Sequence, residues 1–290
     1  MSTPPSELTP DQIAALLRPT PQWQRRDVQR SAAIALLSTI VVFGGLAWII
    51  SGSAGWRAVQ QAFLSPENFV SSFPMVLQGF WLNVRIFLIA EPIILAWGLI
   101  LAIIRSTRSP VLFPIRAAAV AYVDIFRGAP AILVILTLGF GMPALRLPGV
   151  PNSAIFWGTL ACILTSSAYQ SETFRAGIET VHASQRAAAR SLGLSSAQAM
   201  RYVVLPQAIR RVIPPTLSGF VGLQKETALI SVIGPLEATR QAQIYAGMTF
   251  NFTSYVVAGV LFIAITIPLA RFTDYLLQRT AQRREMGGAV

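Results

Sequence analysis

The chain has 290 residues, of which 53% are hydrophobic and 12% charged, and its mean hydropathy is +0.57. Charged residues are at about half the share usual in a soluble domain, and several apolar runs reach roughly 20 residues, which excludes an ordinary soluble globule and points to a polytopic membrane protein. The net charge of +11 has no large polar domain to carry it, so it is read through the positive-inside rule rather than as a nucleic-acid surface.

Residues 1–30 form a polar, proline-rich tail, expected to lie in the cytoplasm. Arg25, Arg26 and Arg30 precede an apolar run from Ala32 to Ile50. Its spanning length and the long tail before it favour a membrane helix over a signal peptide. With the aromatic-rich outer stretch that follows, this makes a first unit over 31–74. A second span is expected over about 75–104, carrying Arg85 and Glu91-Pro92. A third covers about 115–140, interrupted by Asp124, Arg127, Gly128 and Pro130. A fourth runs from Ala154 to Tyr169 and contains Cys162 among small residues, Thr165 to Ala168, that allow close packing. As the only cysteine, Cys162 excludes an intrachain disulfide and a cysteine-cluster metal site.

A long polar, alanine-rich loop follows at 171–207, then a fifth span over about 212–233 bearing Lys225 and Glu226. After an outer segment comes a last span over about 254–277. A basic tail at 281–290 ends the chain. The expectation is therefore an all-α polytopic protein of about six transmembrane helices with both termini cytoplasmic. Arginines support it: Arg186, Arg190, Arg201, Arg210 and Arg211 crowd the loop, whereas the outer segments hold isolated ones such as Arg57, Arg146 and Arg240.

The loop carries the most informative pattern. Ala187, Ala188 and Ala189 are strong helix formers with small side chains. Gly193 stands where a left-handed cap would end their helix. Ser195 and Gln198 have capping-box spacing for a second helix, and Pro206 bends or restarts the chain. The pattern predicts two short helices joined at a glycine. Docking on a partner and lying on lipid, with Arg186, Arg190 and Arg201 on headgroups, are equally open at this level. His182, the only histidine, is expected to be a solvated surface residue.

The spacing of Ala187-Ala188-Ala189, Gly193, Val203, Leu205 and Pro206 resembles the EAA loop of bacterial ABC importer permeases. That family's pattern is Glu-Ala-Ala, three residues, Gly, nine residues, an aliphatic residue, any residue, Leu-Pro. Further segments resemble its polar amino acid branch: Ala168-Tyr169 with Glu172, Phe174-Arg175 and Gly177-Ile178; Val204 to Gln207 with Arg210; Tyr122 with Phe126 to Gly128 and Pro130; and Lys225 to Gly234. The resemblance spans about residues 75–280. Three features depart from it. Ala187 replaces the loop glutamate, Lys225-Glu226-Thr227-Ala228 replaces Lys-Asp-Thr-Ser, and the first helix and tail are additions to a five-helix, type I permease core.

The resemblance implies that Ala187, Ala188, Ala189, Gly193, Leu205 and Pro206 belong to a coupling element that docks on a partner ABC ATPase. ATP and Mg would be bound by that ATPase, and no cofactor or metal by this chain. In agreement, the chain contains no G-x-x-x-x-G-K-[ST] phosphate loop. The further implied partners are a second permease copy or homologue, an extracytoplasmic binding protein, membrane lipid and an amino acid substrate. The implied location is the bacterial inner membrane. Intramembrane ionisable residues are costly and should face a cavity, an interface or one another. Glu91, Asp124, Lys225 and Glu226 are therefore candidates for the substrate pathway, one of the last two facing a cavity. Structural ion pairs with Asp124 or Glu172 are the alternative. Arg127, Glu172 and Arg175 are candidates for a gate or interface. A stand-alone ion-coupled carrier or channel, and an ABC permease for opines or short peptides, are the competing functions.

Overall fold

The computed structural model describes residues 26–107 and 109–287, with side chains from 30 to 276. The proline-rich tail expected over 1–30 lies almost wholly outside the described residues. Every regular element among the described residues is helical. The chain divides into two units, residues 1–60 and 61–290.

The first unit contains α1 (Arg26–Gly52). Within residues 30–52 an 18-residue window has a mean hydropathy of 2.4, and none of these side chains is buried. An isolated apolar helix of this length satisfies all its own backbone hydrogen bonds, which is the condition for crossing a bilayer. The boundary between the units falls within α2 (Trp56–Phe63).

The second unit begins with α3 (Pro66–Ser106), a 41-residue helix capped by the Ser65 side chain. It starts about nine residues earlier than the sequence pattern suggested, because Ser65 and Pro66 make a strong N-terminus that outweighs the modest hydropathy of the first turns. A short 3-10 turn (Pro110–Leu112) leads into α4 (Phe113–Gly128), then α5 (Ala131–Ala144). The third expected span is thus split: α4 and α5 meet at 103°. Ala129 is extended and Pro130 lacks the N–H needed to continue a helix.

α6 (Ala154–Glu179) is the helix on which α3, α4, α5 and α9 all pack. It continues ten residues past the expected end of its span. The loop region holds α7 (Ala183–Ser191) and α8 (Ser196–Ala199). A π-helical turn (Met200–Val204) joins α8 directly to α9 (Leu205–Glu226). The second of the two expected short helices is therefore the start of a long helical run. The π turn lets Leu205 N–H bond to the Met200 carbonyl just before Pro206, where an ordinary bond cannot form. A 3-10 segment (Thr227–Ile233), α10 (Ala238–Thr249) and α11 (Thr253–Gly287) complete the unit.

Among the described residues three helices are apolar and long enough to cross a membrane alone, and the bent α4–α5 pair makes a fourth candidate. α6 and α9 do not reach that hydropathy, because their faces carry the polar groups described below. In lipid, apolar burial alone gives no drive for helix association, so small residues and polar contacts must do that work. Gly79 illustrates it: a Cβ there would lie 2.7 Å from the Glu237 carbonyl carbon and 2.8 Å from Ala238 N. Only glycine lets α3 approach the start of α10 so closely.

Candidate functional site: a membrane cavity, an arginine cluster and a capped loop

The loop is built from local rules. His182, exposed, caps α7 by accepting from Ser184 N–H. Ala187 and Ala188 are exposed and Ala189 is buried. Gly193 takes φ +84°, where its N–H donates to the Arg190 carbonyl at 3.0 Å and Leu194 N–H donates to the Ala189 carbonyl at 3.2 Å. These two bonds are the Schellman pair that closes a helix at a left-handed residue. Ser195 and Gln198 then form a complete capping box. Leu205 and Pro206 occupy the first turn of α9.

Beyond the expected end of the fourth span, Glu172 collects three arginines. Arg105 Nη1 of α3 lies 2.9 Å from its carboxylate and Arg127 Nη1 of α4 at 3.6 Å. Arg175, one turn along α6, pairs with both Glu172 and Glu179. The Arg175 hydrogen bonds first, and those of Arg105 after them, hold the Glu172 carboxyl down at about 2 against the opposing effect of its burial. One carboxylate thus ties α3, α4 and α6 together. Arg127, Glu172 and Arg175 belong to one cluster. Arg105, 67 residues from Glu172 in the chain, completes it.

Higher in the bundle lies a cavity of about 170 Å³. Glu91 of α3 and Glu226 of α9 both line it, beside Ser166, Gln170 and Thr173 of α6 and Gly219 of α9. Ser166 Oγ donates to Glu226 Oε2 at 3.4 Å. Gln170 Nε2 donates to Thr216 Oγ1 at 2.8 Å, fixing α6 against α9. Among the described residues neither Glu91 nor Glu226 has a cationic partner. Of the four candidate pathway residues, the structure brings together these two. Asp124 and Lys225 are exposed and do not line the cavity. Among the described residues Lys225 forms no ion pair with Asp124 or Glu172, and Glu172 is met by arginines instead. Thr165, Ser167 and Ala168 are buried in packing, and Cys162 is buried.

Sequence reasoning missed a third polar group. Asn83 Nδ2 donates to Thr227 Oγ1 at 3.1 Å and to Glu237 Oε2 at 2.9 Å. Ala238 N–H donates back to Asn83 Oδ1 at 3.0 Å, and Arg240 N–H donates to Glu237 Oε1 at 2.7 Å. Glu237 is thereby the N-cap of α10. Glu is not one of the residues that signal a helix start, and its partner Asn83 lies 154 residues away.

Residues 49–282 match the family model described as "Binding-protein-dependent transport system inner membrane component". The chain belongs to this family. It is a multi-pass inner-membrane component of an ABC importer, and its work is transport rather than catalysis. It is similar to the "Probable glutamine ABC transporter permease protein GlnM" of Bacillus subtilis (strain 168), 34% identical over 72% of this chain and 94% of the relative. It is also similar to the "Glutamate transport system permease protein GluC" of Corynebacterium glutamicum, 32% identical over 73% of this chain and 96% of the relative. Among solved structures it resembles a chain of an "amino acid ABC transporter with histidines", with TM-score 0.65 and 32% identity, covering 72% of this chain and 96% of that one.

Proposed function

We propose that this permease passes polar amino acids through the cavity between α3, α6 and α9, with Glu91 and Glu226 facing the cargo. The observation that carries this is the pair of carboxylates lining one cavity with no cation beside them. Glu91 is buried and Glu226 is exposed toward the cavity; every amino acid presents an ammonium group, the cation that would offset a carboxylate within the membrane. The relatives named for glutamine and glutamate transport support an amino acid as cargo. Lys225 and Asp124 stand outside the cavity and serve no cargo contact in this reading.

In the same reading, six spans cross the membrane with both ends cytoplasmic. α6 and α9 count as spans because their polar side chains face the bundle and the cavity. The segment 171–207 faces the cytoplasm, and α7 with its cap at Gly193 docks on an ATP-hydrolysing subunit. A second permease copy or a homologue and an extracytoplasmic binding protein complete the importer. Ala187, where the family has glutamate, leaves the docking helix intact and removes one polar contact.

Co-purification with a candidate ABC ATPase tests the docking role. Gly193→Pro forbids the positive φ and deletes the N–H to Arg190. Loss of about 3 kcal/mol from a broken helix end should weaken recovery of the ATPase on the order of 100-fold. Recovery equal to wild type contradicts the assignment.

A further inference from the structure

A second, larger cavity of about 980 Å³ opens between the loop and the far end of α3. Its floor is apolar, with Ile103, Leu112, Met200 and Val204. Its rim carries Arg186, Arg190 and Arg201. Among the described residues none of these three arginines has a carboxylate partner. Arg186 Nη2 donates to the Ile178 carbonyl at 2.5 Å, but its Nε is buried with no hydrogen-bond partner. Ser106 Oγ, in the cavity wall, is likewise buried and without a partner. Arg190 Nη1 donates to the Leu194 carbonyl at 2.9 Å, and the Arg201 guanidinium lies 5.8 Å from the Tyr202 ring centroid. A guanidinium has five donors, so each arginine keeps several free.

Orphaned buried donors mark a place where an acceptor is missing. Three unneutralised arginines specify that the acceptor is anionic. The apolar floor specifies that the same ligand also carries hydrocarbon. Beside the cavity, the turn at Pro110–Leu112 exposes Val111 at 85%, and Phe113 is 58% exposed. Apolar side chains presented next to arginines are the signature of a segment lying at the headgroup boundary.

We propose that this cavity binds an anionic phospholipid of the surrounding membrane. Its phosphate sits among Arg186, Arg190 and Arg201 with the Ser106 hydroxyl as a further donor, and an acyl chain runs over Met200 and Val204. The bound lipid joins α3 to the loop, so lipid composition acts on the element that receives the ATPase stroke. A free phosphate would satisfy the arginines but leave the apolar floor empty. The inference rests on the cytoplasmic, membrane-adjacent placement of the loop proposed above. Lipid binding by the purified chain needs no ATPase, so failure here and failure of the docking role are separate results.

The test is native mass spectrometry of the full chain in mild detergent, titrated with phosphatidylglycerol or phosphatidylcholine. Wild type should retain phosphatidylglycerol at least about tenfold better. Arg190→Gln with Arg201→Gln, both exposed side chains, should lose about fivefold per arginine removed. Met200→Trp fills the floor without touching the charges, and should lower phosphatidylglycerol retention with the melting temperature unchanged. Excess inorganic phosphate should not displace the lipid. Equal retention of the two lipids by wild type, an unchanged preference in both variants, or displacement by phosphate overturns the proposal.

Discussion

Glu172 and the pair Glu91–Glu226 are carboxylates of the same bundle placed in opposite electrostatic settings. Glu172 is met by Arg105, Arg127 and Arg175 from three helices. Glu91 and Glu226 share a cavity, and among the described residues no lysine or arginine lines it. The first arrangement is complete within the chain, so its product is stability. The second is incomplete within the chain, so it is suited to a cation that arrives from outside. Paired charges hold a membrane protein together, and unpaired ones facing a cavity mark where something else binds.

That contrast breaks most visibly at Glu172. Glu172→Ala leaves three arginines without their common anion. With the residue still partly exposed, the loss should be about 2–3 kcal/mol, read as a lower melting temperature in detergent. The pH dependence has a definite sign. The folded carboxyl titrates at about 2, below its ordinary value of 4.5. Its stabilisation is therefore full above pH 4.5 and is lost as pH falls from there toward 2. Melting temperature should decline over that window in wild type and less so in Glu172→Gln.

Glu226→Gln should give the converse pattern. Removing a charged contact to the cargo ammonium costs about 1.5–3 kcal/mol, so KM for uptake should rise on the order of tenfold or more. The melting temperature should hold, because Glu226 anchors nothing beyond the long Ser166 contact. A variant that melts early but transports normally would place Glu226 with Glu172 as a structural group. The smallest effects belong to Asp124→Asn and Lys225→Ala. Both side chains are exposed and outside the cavity, so each should shift stability by less than about 0.5 kcal/mol and leave KM unchanged.

What was legible in the sequence follows the range of the interactions. The loop geometry was readable because each device closes within a few residues: Arg190 to Gly193, Ala189 to Leu194, Ser195 to Gln198. The break between α4 and α5 was signalled by Pro130, although not its angle. The candidate pathway residues were readable as costly charges, but not which of them meet. Glu91 and Glu226 are 135 positions apart in number, and only the packing of α3 and α9 against α6 joins them. The Asn83–Glu237 contact and the Arg105–Glu172 pair were hidden for the same reason. The polar character of α6 and α9 also obscured them as spans, since residues that serve a cavity lower the hydropathy by which a span is recognised.

The central claim is that this cavity is the passage of an ATP-driven amino acid importer. Proteoliposomes holding the permease with an ABC ATPase and a binding protein that co-purify with it, loaded with ATP at the ATPase face, measure it directly. The account predicts uptake of labelled polar amino acids that requires ATP and is weakened through KM by Glu226→Gln. Uptake driven by an ion gradient without the ATPase, or ATP-driven uptake indifferent to Glu226→Gln and Glu91→Gln together, would contradict it.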